Sequence, residues 1–364
     1  MKTLNLPYVS IIVVNYNGRH HLEKCLRSLE ENSYPCSKYE IIVVDNNSTD
    51  GSLQLLEKDF PTLHVVKLDK NYGWAGGVNI GVKYAKGEYL TILNNDVVVD
   101  ENWLTELVKP ALSNDNIEIC TSKKLCMDNP TVLDGAGGAM NIIGQGWDRG
   151  MLRKDQGQYE EVVEVSHPSG ASFLLKRRLI NIFGYALYPD FFMYQDDLDI
   201  GWRTRLLGFK VIYVPKSVIF HKGAGSTRCS PFTYYHFYRN MLVVFCKNLE
   251  RGNLAKLLAL LIINAVVTQL FAFVSYKEVG YLVNIPKILV YLITSMKRIA
   301  EKRKLVQRLR KINDQQIFSL FSPTIISPKE TGKFAIAYQK LVNLYLKTVI
   351  IKGAGQIQGV FIYQ

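Results

Sequence analysis

Hydrophobic and polar positions near the start of the chain switch repeatedly between two periods. Val9-Ser10-Ile11-Ile12-Val13-Val14 is a continuous, largely β-branched run, the pattern of a strand buried on both faces. Tyr16-Asn17-Gly18 reads as a turn, and Leu22, Cys25, Leu26 and Leu29 then recur at helical spacing between His21 and Asn32. Glu40 to Val44 predicts a second strand ending at Asp45, and Ser48-Thr49-Asp50-Gly51 opens a helix with its body at Ser52 to Asp59. Leu63 to Leu68 predicts a third strand, Ala75 to Ala85 a helix, and Glu88 to Leu93 a fourth strand. This rhythm implies βαβ units and a mostly parallel central sheet, whose ligands bind at the carboxyl ends of the strands.

From Ile117 to Leu175 the pattern loosens. Gly135-Ala136-Gly137-Gly138 and Gly144-Gln145-Gly146 predict hairpin turns and a mobile loop. Ser172 to Leu175 then reads as a strand, Leu198 to Leu207 as a helix and Lys210 to Val214 as a strand. Residues 231–252 form a connecting helix after a catalytic domain at 1–230, and 253–311 hold apolar helices and a basic segment. The tail at 312–364 carries little pattern. Leu254 to Val274 is long enough to span a bilayer, yet Lys256, Asn264 and Gln269 interrupt it. An interfacial or re-entrant pair with Val279 to Met296, which Pro286 breaks, is the second reading, and a soluble core helix the third.

Composition narrows the class. With 48% hydrophobic and 21% charged residues, the 364-residue chain is a folded, core-bearing protein. The formal charge of +12 gathers after the apolar stretch, in Lys297-Arg298, Lys302-Arg303-Lys304, Arg308 and Arg310-Lys311. That block suits an anionic membrane surface at the cytoplasmic side better than nucleic acid. Six scattered cysteines form no CxxC pair, and Met1 to Pro7 lacks an apolar signal-peptide core. Free thiols in a reducing cytoplasm are therefore expected.

Four constellations carry chemistry. Asn94-Asn95-Asp96 ends the fourth strand, where an acid can hold a divalent cation through oxygen or, equally, cap a turn. Asp196-Asp197-Leu198-Asp199 opens a helix. Crowded acids raise one another's pKa, as a general base requires, although the helix dipole alone also attracts them. His221 follows an apolar strand and precedes Gly223-Ala224-Gly225-Ser226, which suits a metal ligand beside a loop whose amides meet phosphate. Asn71-Tyr72-Gly73-Trp74-Ala75-Gly76-Gly77-Val78-Asn79 lets backbone approach a ligand at a helix start, or serves tight packing.

Taken in order, these segments resemble glycosyltransferase family 2, the inverting group with the GT-A fold, and its rhamnosyltransferase-like branch. The matching residues are Val9 to Asn17, Val43 to Gly51, Asn71 to Asn79, Leu93 to Asp96, Ser169-Gly170-Ala171, Tyr194 to Arg203, and His221, across roughly residues 8–250. The resemblance implies that Asn15, Asn17, Asp45 and Asn47 surround the nucleotide's base and ribose. It implies that Asn71, Gly77, Asn79, Asn95 and Gly170 position the donor, and that Asp96 and His221 hold Mg2+ or Mn2+. It makes Asp197 the catalytic base, with Asp196 where the family usually has Glu, and Arg203 a support for this segment or the phosphates. The donor would be a nucleotide-diphosphate sugar. The acceptor would be a glycan or lipid-linked glycan in cell-surface polysaccharide synthesis, at the cytoplasmic face of the membrane and without nucleic acid. The metal motif reads Asn-Asn-Asp, so it supplies one carboxylate and leans on His221.

Rival classes are weaker. An oxidoreductase needs G-x-G-x-x-G after the first strand, where only Gly18 stands, and no P-loop is present. A nucleotidyltransferase would carry a basic Gly-rich loop there, and a non-catalytic sugar- or membrane-binding scaffold has no need of Asp96, Asp197 and His221 together.

Overall fold

The computed structural model describes residues 6–223 and 229–322. Its first half alternates as the pattern predicts: β1 (Val9–Asn15), α1 (Arg19–Glu30), β2 (Tyr39–Asp45), α2 (Ser52–Asp59), β3 (His64–Lys67), α3 (Gly73–Tyr84) and β4 (Tyr89–Asn94). There follow β5 (Val97–Val99), α4 (Trp103–Ser113), β6 (Ile117–Cys126), β7 (Asn129–Gly135), β8 (Gly138–Met140), β9 (Gly146–Asp148), β10 (Val163–Glu164) and β11 (Ser172–Lys176). The chain then forms α5 (Arg177–Phe183), α6 (Asp196–Leu206) and β12 (Lys210–His221). Five helices end the described residues: α7 (Pro231–Asn248), α8 (Arg251–Tyr276), α9 (Gly280–Thr294), α10 (Met296–Leu309) and α11 (Asp314–Phe318).

The main sheet has ten strands, with β10-β12-β6-β11-β4-β1-β2-β3 in line, β5 beside β12 and β7 beside β6. Alternate residues of β1 explain its unbroken apolar run. Ile12 and Val14 pack with Ala75 and Val78 of α3 on one face, while Ile11 and Val13 pack with Leu22 and Leu26 of α1 on the other. All but Val14 are fully buried, and each such aliphatic side chain contributes roughly 1.5–3 kcal/mol of transfer free energy.

One expectation is corrected: the sheet is mixed, not mostly parallel. The β1–β2, β1–β4, β2–β3 and β6–β12 pairs are parallel, but β11 runs antiparallel to both β4 and β6. All five β11 residues are buried, and a strand covered on both faces shows the same apolar run in either direction. Pro286 lies inside α9 without ending it. The strand expected over Lys210 to Val214 continues through an irregularity to His221.

Candidate active site

A cleft of about 460 Å³ opens where the turn after β4, the end of β12, the segment before β11 and the start of α6 converge. Asp96, Gly170, Asp196, Asp197 and His221 all line it.

Strand register builds the first corner. The β5–β12 ladder pairs His221 with Val97, so Asp96, one residue back, meets the imidazole. The Lys222 backbone N–H donates to the Asp96 carbonyl at 3.0 Å, which ties the turn down. His221 Nε2 lies 3.3 Å from Asp96 Oδ1, a buried oxygen that has no hydrogen-bond partner. Adjacent ligands on an octahedral cation with bonds of about 2.1 Å stand about 3 Å apart, so the pair fits two neighbouring sites on Mg2+ or Mn2+. No cluster of three or more His, Cys, Asp or Glu able to hold a metal occurs among the described residues. Burial alone would raise the Asp96 carboxyl, but the imidazole outweighs it and holds the pKa low. Burial likewise opposes charge on His221, and the Asp134 and Asp96 carboxylates overcome it and raise the pKa.

The second corner is the N-terminus of α6. Tyr194 and Gln195 precede it at φ of 69° and 65°, left-handed backbone that side chains other than glycine adopt at a cost. Asn240 of α7 holds this turn, its Nδ2 donating to the Met193 and Tyr194 carbonyls at 2.9 Å each. Burial and the neighbouring Asp197 raise the Asp196 pKa, and burial raises that of Asp197. Trp74 hydrogen-bonds Asp196, and His167 faces Asp197 and partly offsets its shift. At Gly170 a Cβ would stand 3.4 Å from Asp197 Oδ2, so the bare backbone keeps space open beside this carboxylate.

A third group spans the ends of β1 and β2. Asn15 donates to Asp45 Oδ1 and Ser48 Oγ at 3.1 Å each and accepts from Asn95 Nδ2 at 2.7 Å. Asn17 accepts from the Thr49 N–H at 2.8 Å. Asn17 and Asn47 are exposed, with φ of 50° and 68°. These residues form one polar rim, whereas three other expected binding residues do different work. Asn71 accepts from the Gly73 N–H at 2.8 Å, closing the turn into α3. Gly77 lets α3 approach β1, since a Cβ would come within 2.7 Å of Val14. The Asn79 amide donates to the Leu187 carbonyl and accepts from the Ala186 and Leu187 N–H groups, so it pins the segment before α6.

Arg203 lies outside the cleft. It is buried, its Nε donates to Asp199 Oδ2 at 2.8 Å, and its guanidinium stacks between Phe183 and Tyr185. Of its two expected roles, this geometry serves support of the acidic segment. Residues 224–228, where loop amides were expected to meet phosphate, lie outside the described residues. Sequence reasoning missed Lys124, Asp134, His167 and Asn240; the one local signal was Lys123-Lys124 in an apolar strand whose other charge is Glu118.

Residues 10–182 match the family model described as Glycosyl transferase family 2. Glycosyltransferase AglE of Haloferax volcanii is 33% identical over 105 residues, 28% of this chain and 34% of that one. The chain spans between 34% and 48% of the length of the first curated relatives it matches. Two solved structures share the fold. Staphylococcus aureus TarS 1-349 in complex with UDP-GlcNAc has a TM-score of 0.54 at 18% identity, covering 86% of this chain and 90% of that one. Mannosyltransferase PcManGT from Pyrobaculum calidifontis, in complex with GDP-Man and Mn2+, has a TM-score of 0.50 at 18% identity, covering 84% and 86%. The mixed sheet is thus GT-A-like, and residues 10–182 are similar to the family 2 glycosyltransferases.

Proposed function

We propose that the chain transfers a sugar from a nucleotide-diphosphate donor to a hydroxyl of a glycan or lipid-linked glycan, with inversion. One observation carries this reading: a single cleft joins the Asp96–His221 pair to the Asp196–Asp197 pair. Asp197, whose pKa is raised, accepts the proton of the acceptor hydroxyl. The freed oxygen forms its bond to the anomeric carbon from the face opposite the nucleotide. The bond to the phosphate oxygen breaks, and the diphosphate leaves with that electron pair. Asp96 and His221 would hold Mg2+ or Mn2+, which supplies positive charge against the departing diphosphate. Asn15, Asn17, Asp45, Asn47 and Asn95 form the rim suited to base and ribose, and Asp196 lines the cleft beside Asp197.

The resemblance to the rhamnosyltransferase-like branch implies a rhamnosyl donor, and the relatives' names include other sugars, so a donor panel is the test. Thermal shift with Mn2+ and UDP-, GDP- or dTDP-sugars should single out one donor, and NMR of its product should show the inverted anomer. A retained anomer, or no stabilisation by any donor, would defeat the reading.

The same proposal places the enzyme on the cytoplasmic membrane surface. Helix α8, at 26 residues, is the one described helix long and apolar enough to cross a membrane. Its polar Asn264 and Gln269 are buried, and Asn284 of α9 donates to Gln269 at 3.1 Å. Ile263, Phe271, Val274, Val290 and Ile293 are exposed instead, which suits a hairpin lying in the interface. Vesicle flotation should show binding that anionic lipid strengthens; equal recovery without vesicles would refute it.

A further inference from the structure

His221 does not stand alone behind the cleft. Its Nδ1 lies 2.8 Å from Asp134 Oδ2, and Lys124 Nζ reaches that same oxygen at 3.3 Å and Asp148 Oδ2 at 2.8 Å. Asp134 and Lys124 are 3% and 5% exposed, so this chain of charges is built into the fold rather than laid on its surface. Asp134 sits near the end of β7, beside β6, which carries Lys124; β6 pairs in turn with β12, which carries His221. Three neighbouring strands thus bring the groups together.

The chemistry of the contact fixes the imidazole. An ionised carboxylate only accepts hydrogen bonds, so the proton facing Asp134 belongs to Nδ1. In the neutral ring Nε2 then carries a lone pair, and it points at Asp96 Oδ1, a second acceptor with no donor of its own. Two acceptors 3.3 Å apart repel unless a cation, or a second proton on the ring, lies between them. Lys124 balances the charge of Asp134 and so allows a carboxylate to stay ionised at this depth.

We infer that Asp134, held by Lys124, is a positioning residue that locks His221 in the Nδ1–H tautomer and thereby presents Nε2 to a divalent cation. This rests on the reading of Asp96 and His221 as cation ligands given above. Outer partners of this kind typically change metal affinity about 10- to 100-fold.

Mn2+ binding, followed by the EPR signal of free Mn2+ in the presence of UDP, tests both layers separately. The native protein should bind Mn2+, and Asp134→Asn should bind it about 10- to 100-fold more weakly while its metal-free affinity for UDP stays within about twofold. Native protein that binds no Mn2+ under these conditions defeats the underlying cation reading. Native binding with an equal affinity in Asp134→Asn defeats only the role of Asp134. Should Asp134→Asn fail to fold, the 15N NMR signals of His221 in native protein with Mg2+ and UDP decide. A protonated Nδ1 and unprotonated Nε2 support the inference, and the reverse tautomer overturns it.

Discussion

The first turn of α6 places three acids within four residues, and its two faces treat them in opposite ways. Asp196 and Asp197 turn toward the cleft, where burial outweighs the groups that oppose it and holds both carboxyls above their usual range. Asp199 turns to the core and meets Lys247, Asn248 and Arg203. Burial pushes its pKa up too, but the two cations outweigh it and the pKa falls. The same residue type in the same turn becomes a proton acceptor or a structural anion according to what faces it. Support and chemistry are separated by about half a helical turn.

The comparison breaks most visibly on the core side. Asp199→Asn leaves Lys247 and Arg203 without their anion, and breaking a buried pair typically costs about 3–5 kcal/mol. Urea unfolding should show that loss, whereas Asp197→Asn should leave stability near native. Equal losses in the two variants would erase the distinction. A smaller effect is expected at Asn240, which holds the left-handed turn without touching the cleft. Asn240→Ala should lower the transfer rate roughly tenfold with donor affinity little changed, since misplacing a reacting group costs rate more than binding. A rate within twofold of native would show that the turn holds itself.

The smallest expected effect is in pH dependence. The raised pKa values of Asp196 and Asp197 mean that the folded state binds more protons than the unfolded one. Their contribution to stability is full below the unfolded carboxyl value near 4 and is lost as pH rises through the raised folded values. Asp199 has the opposite sign: its contribution is present above that unfolded value and is lost as pH falls through its lowered one. Asp196→Asn should therefore flatten the decline in melting temperature between pH 5 and 8, about the window in which the raised carboxyls ionise. An unchanged slope would place that decline elsewhere.

Much of this was legible in the chain because strand ends announce themselves. Asp45, Asp96 and His221 each follow an apolar run, and all three lie at the carboxyl edge of the sheet. Direction was not legible for β11, whose buried run reads alike either way. Asp134 and Lys124 were missed because their meaning arises only when β6, β7 and β12 lie side by side. Asn79 misled for a related reason. Its place in an Asn- and Gly-rich segment suggests a ligand contact, yet its amide is spent on the backbone at Ala186 and Leu187. Asn240 lies 46 and 47 residues beyond the two carbonyls it holds, too far for a local pattern to show.

The central claim is that Asp197 takes the acceptor proton. Its most direct test is the rate of nucleoside-diphosphate release from the best donor, with acceptor present, for native protein and Asp197→Asn at matched folding. Loss of a general base should slow release by about 10²- to 10⁴-fold while donor binding and unfolding remain near native. A near-native rate in Asp197→Asn would contradict the account.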